Sequence, residues 1–87
     1  MIKRAFEIND IAYLAKNRRI KVEVNGNENN MKNISLKEGD AVKIIGYYEV
    51  EKYGYSYEAE YKKGKTTYII RKHLSQNDLK EKNEDLI

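Results

Sequence analysis

The chain contains no cysteine and a single histidine, and these absences limit the catalytic and metal-binding sites that it can form. Without cysteine there is no disulfide, no thiolate metal ligand and no thiol nucleophile, so a reducing compartment is compatible with the chain. The single histidine, His73, has no nearby Cys, Ser or cluster of carboxylates with which it could form a catalytic triad or a metal site. The five glycines match neither a phosphate-binding loop nor a dinucleotide fingerprint. The sequence therefore predicts a protein that is not an enzyme and that uses no metal or cofactor.

Long apolar runs are also missing. The N-terminal basic residues are followed by Glu7 and Asp10 before any apolar stretch that could form the core of a signal peptide. No run reaches the roughly 18 apolar residues that a membrane-spanning helix needs. We therefore expect a cytoplasmic protein without a membrane partner.

The 87 residues are enough for one domain with one core. The net charge is +3, and the segment 75–87 is acidic, so the positive excess lies in the preceding part of the chain. Such an excess fits weak nucleic-acid binding but is also common in proteins that simply stay soluble. Lys, Asn, Ile and Tyr have AT-rich codons, so genome composition alone can account for many of the lysines and tyrosines.

Alternating apolar and polar residues predict antiparallel strands. In residues 18–26 ("RRIKVEVNG") every second residue is apolar, as in a half-buried strand that ends at Asn-Gly. Residues 56–61 and 65–71 are predicted to form a hairpin around Lys63-Gly64. A strand over 41–50 is long enough to bend, and Gly46 is where a bulge costs least. Its alternation predicts one buried set of residues: Val42, Ile44, Gly46, Tyr48 and Val50.

Three other segments have weaker patterns. Residues 9–16 fit either one helical turn or a short strand, with strand or irregular structure slightly favoured. Residues 25–33 ("NGNENNMKN") are rich in Asn and are predicted to form a surface loop. Residues 75–87 predict a short helix that begins at Ser75 or Asn77 and frays because it has few apolar residues.

Together these segments resemble an SH3-type domain, particularly the bacterial SH3-like modules. The resemblance covers about Ser35 to Leu74 and rests on "LKEGDAVKIIG", "YEAEYKKGK" and "TYIIRKHL". These stretches follow the family's order of a turn, a long strand, an aromatic-containing hairpin and a closing strand that ends in Leu. The resemblance implies an all-β fold: a small five-stranded antiparallel barrel over residues 1–74, followed by a helical tail over residues 75–87.

The chain departs from the family members that bind proline-rich peptides. Those members use a Trp, a Pro and a Tyr, where this chain has Ser56 or Tyr55, Ile70 and His73. Polyproline docking relies on a row of flat aromatic faces, so that activity is not predicted. Bacterial members often recognise cell-wall peptides, a use that requires export. An intracellular protein partner is therefore the expectation.

The tyrosines give the main functional prediction, because five of the eight lie within residues 47–57 and alternation cannot bury them all. Tyr48, Tyr57 and Tyr61 are predicted to lie in or beside the core. The others lie on the opposite face or in the loop, where a Tyr supplies apolar area with a hydroxyl group. We expect a non-catalytic module that binds a protein or peptide, with basic groups that favour an acidic partner. The predicted binding residues are Tyr47, Tyr53, Tyr55, Tyr68, Arg71, Lys72 and His73.

Two alternatives use other surfaces. Small barrels with tyrosine faces can bind single-stranded nucleic acid through stacking and phosphate contacts. Interleaved glutamates on the same sheet oppose this role. The second alternative is self-association through an exposed strand edge. The predicted nucleic-acid contacts are Arg18, Arg19, Lys62, Lys63 and Lys65.

Overall fold

The computed structural model describes residues 4–52 and 54–81, which form one antiparallel sheet of seven strands. A 3-10 turn over Gln76–Asp78 precedes the last strand. No helix in these residues is long and apolar enough to cross a membrane. The strands are β1 (Ile11–Leu14), β2 (Arg18–Val24), β3 (Asn27–Leu36), β4 (Ala41–Val50), β5 (Gly54–Lys63), β6 (Thr66–Ile70) and β7 (Leu79–Lys80).

The strand order is β3-β2-β6-β5-β4-β1-β7. Strands β4, β5 and β6 follow one another as a meander, and β2 and β3 form a hairpin that joins the sheet beside β6. Strands β3 and β7 are the two edges, and no ladder joins them within the described residues, so the sheet is not closed. The all-β prediction is confirmed. The predicted five-stranded barrel is wrong: the sheet has seven strands, because β3 and β7 form in segments assigned to a loop and a helix, and it is not closed.

The hydrophobic core lies on one face of this sheet. In β2 the predicted burial of Ile20 and Val22 is confirmed, although Glu23, predicted to lie on the exposed face, is also buried. Tyr57 of β5 is fully buried. Phe6, which precedes the first strand, is also buried and packs edge-on against Tyr57, with the ring centroids 5.5 Å apart. The core therefore consists of the sheet and the segment that leads into it.

A bulge in β4 reverses the alternation predicted for that strand. Ile44 is opposite Ala59 whereas Gly46 is opposite Glu58, so one extra residue lies between the two pairs. Beyond the bulge, Tyr47 pairs with Tyr57 and lies on the core side of the sheet. Tyr48 then lies on the other face and is 42% exposed. The prediction of a buried Tyr48 and an oppositely placed Tyr47 is therefore wrong.

The Asn-rich segment is an exposed strand rather than a loop. Asn25 and Gly26 both have positive φ angles, of 54° and 75°, as the tight turn of a two-residue hairpin requires. The turn is fixed to β6 because the Asn25 amide donates to the Thr67 carbonyl at 2.6 Å, and the Thr67 amide donates to Asn25 Oδ1 at 3.1 Å. The loop prediction is wrong because the backbone N–H and C=O groups of this segment form hydrogen bonds with β2, although most of its side chains remain in solvent.

The described part of the C-terminal segment is not the predicted helix. After the 3-10 turn, Leu79 is buried and pairs with Leu14 of β1. Leu79 is the only strongly apolar residue between Ser75 and Glu81, so a helix there would have no apolar face, whereas a strand buries it. Residues 82–87 of the predicted helix lie outside the described residues.

Asp78 fastens the 3-10 turn to the start of β2. Its carboxylate is almost completely buried and accepts hydrogen bonds of 3.0 Å from both the amide and the hydroxyl of Ser75. Arg18 Nη1 lies 2.7 Å from the same carboxylate, and Lys16 Nζ lies 3.4 Å from it. Burial acts to raise the pKa of Asp78, but the bonds from Ser75 and Arg18 outweigh it and hold this pKa below its ordinary value.

We expect Asp78→Asn to lower the free energy of unfolding by about 2 kcal/mol at neutral pH, because charged hydrogen bonds are lost in a buried place. The carboxylate has a lower pKa in the folded chain than in the unfolded chain. Its contribution is therefore fully present above the ordinary pKa of about 3.9 and is lost as the pH falls through that value and the lower folded one. Urea unfolding of both proteins from neutral to acid pH measures this. A difference that does not shrink at acid pH contradicts it.

Candidate functional site

Residues 4–7, here called the strap, are fastened to the core by Tyr57. The hydroxyl oxygen of Tyr57 accepts hydrogen bonds from the amides of Ala5, at 3.2 Å, and Phe6, at 3.4 Å. The same hydroxyl donates to Gln76 Oε1 at 3.0 Å. Burial, only partly offset by the bonds from the strap, raises the pKa of Tyr57, so the hydroxyl keeps the proton that it donates. One buried side chain thus joins the strap to the turn before β7.

The strap places Arg4 over two tyrosine rings. The guanidinium carbon is 3.9 Å from the ring centroid of Tyr47 and 5.9 Å from that of Tyr55. The rings meet edge to face, with centroids 6.1 Å apart and planes at 78°. Both distances lie within the range in which a cation is attracted to the face of an aromatic ring. We call Tyr47 and Tyr55 the tyrosine pair.

The β4 bulge and the β4–β5 register together create the tyrosine pair. Tyr47 is opposite Tyr57, and Glu49 is opposite Tyr55, so the two tyrosines are diagonal neighbours on the core side of the sheet. Tyr55 is half-buried against the core, while Tyr47 is 36% exposed. The pair therefore extends the core to the surface and leaves aromatic area open to solvent.

One carboxylate pairs with the cation over the tyrosine pair, and a second acidic residue shares the same face of the sheet. Glu7 accepts a hydrogen bond from Arg4 Nη2, and Arg4 Nε donates to the Phe6 carbonyl at 3.1 Å. Glu49 is exposed and shares the face of the tyrosine pair through its pairing with Tyr55. The Glu7 carboxylate and the two tyrosine rings thus meet at the Arg4 guanidinium, and this combination attracts a cation.

The other predicted partner-binding residues lie elsewhere. Tyr53 is outside the described residues. Tyr68 stacks on Tyr61, with centroids 6.3 Å apart, and both rings are half-buried beside the β5–β6 turn. Arg71 lies on the opposite face of the sheet, where Nη1 contacts Glu58 at 3.0 Å. The predicted residues that the structure describes therefore do not form one site: Tyr47 and Tyr55 lie together on the core side of the sheet, and the three basic residues 71–73 lie together elsewhere.

Lys72 and His73 are exposed and line an open groove of about 420 Å³ on that opposite face. Arg71 also borders this groove, and its Nε lies 3.4 Å from the carboxylate of Glu23, which is almost fully buried. Because Glu58 and Glu23 both neutralise Arg71, this residue adds little attraction for an acidic partner. The complete lining is Lys21, Glu23, Glu28, Met31, Arg71, Lys72 and His73.

The predicted nucleic-acid residues fall into two separate groups. Arg18 is engaged by Asp78 at the start of β2, next to the exposed Arg19. Strands β2 and β6 are antiparallel, so the β5–β6 turn lies near the end of β2 and not near its start. The two arginines are therefore separated from that turn by about the length of β2, roughly 20 Å. The lysines at that turn are exposed, and one of them, Lys62, contacts Glu60 at 3.5 Å. This group comprises Lys62, Lys63 and Lys65.

Sequence reasoning missed the strap. Arg4 figured only as part of a basic N-terminus, and Phe6 was given no role, although it is the only phenylalanine of the chain. A lone large aromatic residue before the first strand was the available signal for a core contact. The contact of Arg4 with the tyrosine pair had no local signal, because it joins residues more than forty positions apart.

Comparison of the chain with protein-family models, with curated proteins and with solved structures found no match. The candidate site is therefore argued from the geometry of this chain alone. The described residues hold no group of three or more His, Cys, Asp or Glu side chains that could bind a metal ion.

We expect Tyr57→Phe to release the strap while preserving the core. The ring stays, but two amides and Gln76 lose their common partner, so the free energy of unfolding should fall by about 1–2 kcal/mol. Hydrogen exchange of the Ala5 and Phe6 amides should accelerate more than that of β5 amides. Equal acceleration throughout the sheet contradicts a local role for this hydroxyl.

Proposed function

We propose that this protein is a non-catalytic interaction module, related to the SH3-like domains, that binds a protein or peptide segment across the tyrosine pair. One observation carries the proposal: Arg4, a side chain of an irregular segment, already lies over both rings. Peptide-like chain is thus accommodated on this face in the free protein. The proposal needs no chemical step and assigns no catalytic residue.

The order of elements supports the relation to SH3-like domains. The segment of resemblance begins with buried Leu36 and a turn in which Asp40 Oδ2 accepts a hydrogen bond from the Lys37 amide at 2.9 Å. The long strand β4, the β5 hairpin strand and the closing strand β6 then follow in the family's order. Leu74, with which the pattern ends, is fully buried. The cytoplasmic location remains a prediction from the sequence.

The tyrosine pair suits a binding surface for energetic reasons. Each Tyr adds a large contact area while only two side-chain torsions become ordered. The edge-to-face contact and the packing of Tyr55 against the core hold the rings before a partner arrives. A surface that is ordered in advance loses less entropy on binding, so a small area can give measurable affinity.

Selection from a random peptide library displayed on phage tests this function. We expect Tyr47→Ala and Tyr55→Ala each to weaken the binding of a selected peptide by about tenfold or more, since truncating an aromatic anchor is among the costliest interface changes. Tyr48→Ala is the matched control, because Tyr48 is a neighbouring exposed tyrosine on the opposite face. Isothermal titration gives the affinities, and circular dichroism checks the fold.

Two results contradict the proposal. Either no peptide is selected in repeated rounds, or the selected peptides bind the Tyr47 and Tyr55 variants as tightly as they bind the Tyr48 variant. In the second case the peptide-binding surface lies elsewhere.

Nucleic-acid binding at the β5–β6 turn is the second candidate function. The stacked rings of Tyr61 and Tyr68 lie beside this turn, and no ion pair engages Lys63 or Lys65 within the described residues. Aromatic faces next to lysines can hold a single strand through stacking and phosphate contacts.

A labelled single-stranded oligonucleotide, titrated at two salt concentrations, tests this second candidate. Phosphate contacts predict an affinity that falls linearly with salt on logarithmic axes. The double variant Lys63→Ala/Lys65→Ala should then reduce both the affinity and the slope, whereas Arg19→Ala, at the other end of β2, should not. Absence of binding at low salt eliminates this candidate and leaves the tyrosine pair.

A further inference from the structure

In the free chain a cation, the Arg4 guanidinium, lies over the tyrosine pair, and its contacts indicate which groups this surface can bind. The guanidinium carbon of Arg4 lies 3.9 Å from the ring centroid of Tyr47, and the Arg4 side chain is only 25% exposed. Its edge is satisfied by the Phe6 carbonyl and by Glu7. The site therefore provides the face contact and the edge contacts that a planar cation requires.

We propose that the tyrosine pair, with Glu7 and Glu49 at its border, is a cation site whose ligand is an arginine or lysine side chain of a partner segment. In the free protein Arg4 is the tethered occupant of this site, and a partner must displace it. The inference rests on the proposed function and specifies the chemistry that this surface recognises.

The surroundings favour a cation over a neutral or anionic group. The faces of tyrosine rings carry negative potential, which attracts a cation placed above them. Glu7 is 67% exposed at its side chain, so it can pair with an incoming cation as well as with Arg4. Glu49 adds a second carboxylate on the same face. An anionic side chain would meet the carboxylate of Glu7 and two negative ring faces.

Arg4 can leave the rings without unfolding the strap. The strap is held by the buried ring of Phe6 and by the amides of Ala5 and Phe6, which donate to Tyr57. None of these contacts involves the Arg4 side chain. Rotation about its own side-chain torsions is therefore sufficient to vacate the site, and the exposed carboxylate of Glu7 is then available to the incoming cation.

This arrangement has a measurable consequence for affinity. If Arg4 covers the site in part of the molecules, the apparent Kd for an external ligand equals the intrinsic Kd divided by the fraction of molecules whose site is open. Exposed contacts between a cation and an aromatic ring are weak, so removing Arg4 should tighten the binding of an external cation by about two- to fivefold. A purely structural role of Arg4 predicts no such gain.

The test is a titration of the full chain, observed by NMR at the ring resonances of Tyr47 and Tyr55. The probes are acetyl-Gly-Arg-Gly-amide, its lysine counterpart, and the citrulline counterpart, which keeps the shape of arginine without the charge. We expect the two cationic peptides to shift the ring resonances, and citrulline to leave them unchanged. Arg4→Gln should bind the arginine peptide about two- to fivefold more tightly than the wild type.

Three variants serve as controls. Arg4→Lys keeps a tethered cation and should bind the arginine peptide with nearly wild-type affinity. Tyr48→Ala should behave as the wild type because Tyr48 lies on the other face. Tyr47→Ala should lose the response. The amide spectrum reports folding in each case, and the comparison of the arginine and citrulline peptides on the wild type keeps the test decisive if Arg4→Gln alters the fold.

Equal binding of the citrulline and arginine peptides overturns the cation site, as does an unchanged affinity in a folded Arg4→Gln variant. Absence of any ring response to the cationic peptides overturns it as well. These results leave the proposed function standing if library peptides without arginine or lysine still depend on Tyr47 and Tyr55. Failure of the library selection itself is the separate result that removes the proposed function.

Discussion

The buried hydroxyl of Tyr57 is the constraint on which the functional end of this molecule depends. A phenol without water must find partners within the protein, and here it takes two amides of the strap and the side chain of Gln76. The strap and the turn before β7 are thereby fixed to the centre of β5. These bonds act together with the buried ring of Phe6 to hold the strap that carries Arg4.

The second determinant is the single extra residue in β4. Because side chains alternate along a strand, one inserted residue moves everything beyond it to the other face. Tyr47 thus comes to the core side, where it meets Tyr55 and Arg4, while Tyr48 turns away. A local irregularity of the backbone and a distant hydrogen bond together build one small aromatic and acidic surface.

The sequence was sufficient where structure is local. The alternation of β2, the Lys63-Gly64 hairpin and the all-β class follow from patterns of a few residues. It failed where long-range pairing decides: β3 forms because β2 offers a ladder, and β7 forms because Leu79 is buried against β1. A bulge at Gly46 is predictable from the sequence, but the predicted faces of Tyr47 and Tyr48 did not include the reversal that this bulge causes. Tyr47 was therefore predicted to lie on the face opposite the core, whereas it lies on the core side.

The contact between Arg4 and the tyrosine pair is the central claim, and NMR of the wild-type protein tests it most directly. A side chain held over an aromatic face experiences its ring current, so we predict strong upfield shifts of the Arg4 side-chain protons. We also predict nuclear Overhauser contacts from these protons to the rings of Tyr47 and Tyr55. Random-coil shifts for Arg4, together with clear contacts between Phe6 and Tyr57, would mean that the strap docks without placing its arginine and would contradict the account.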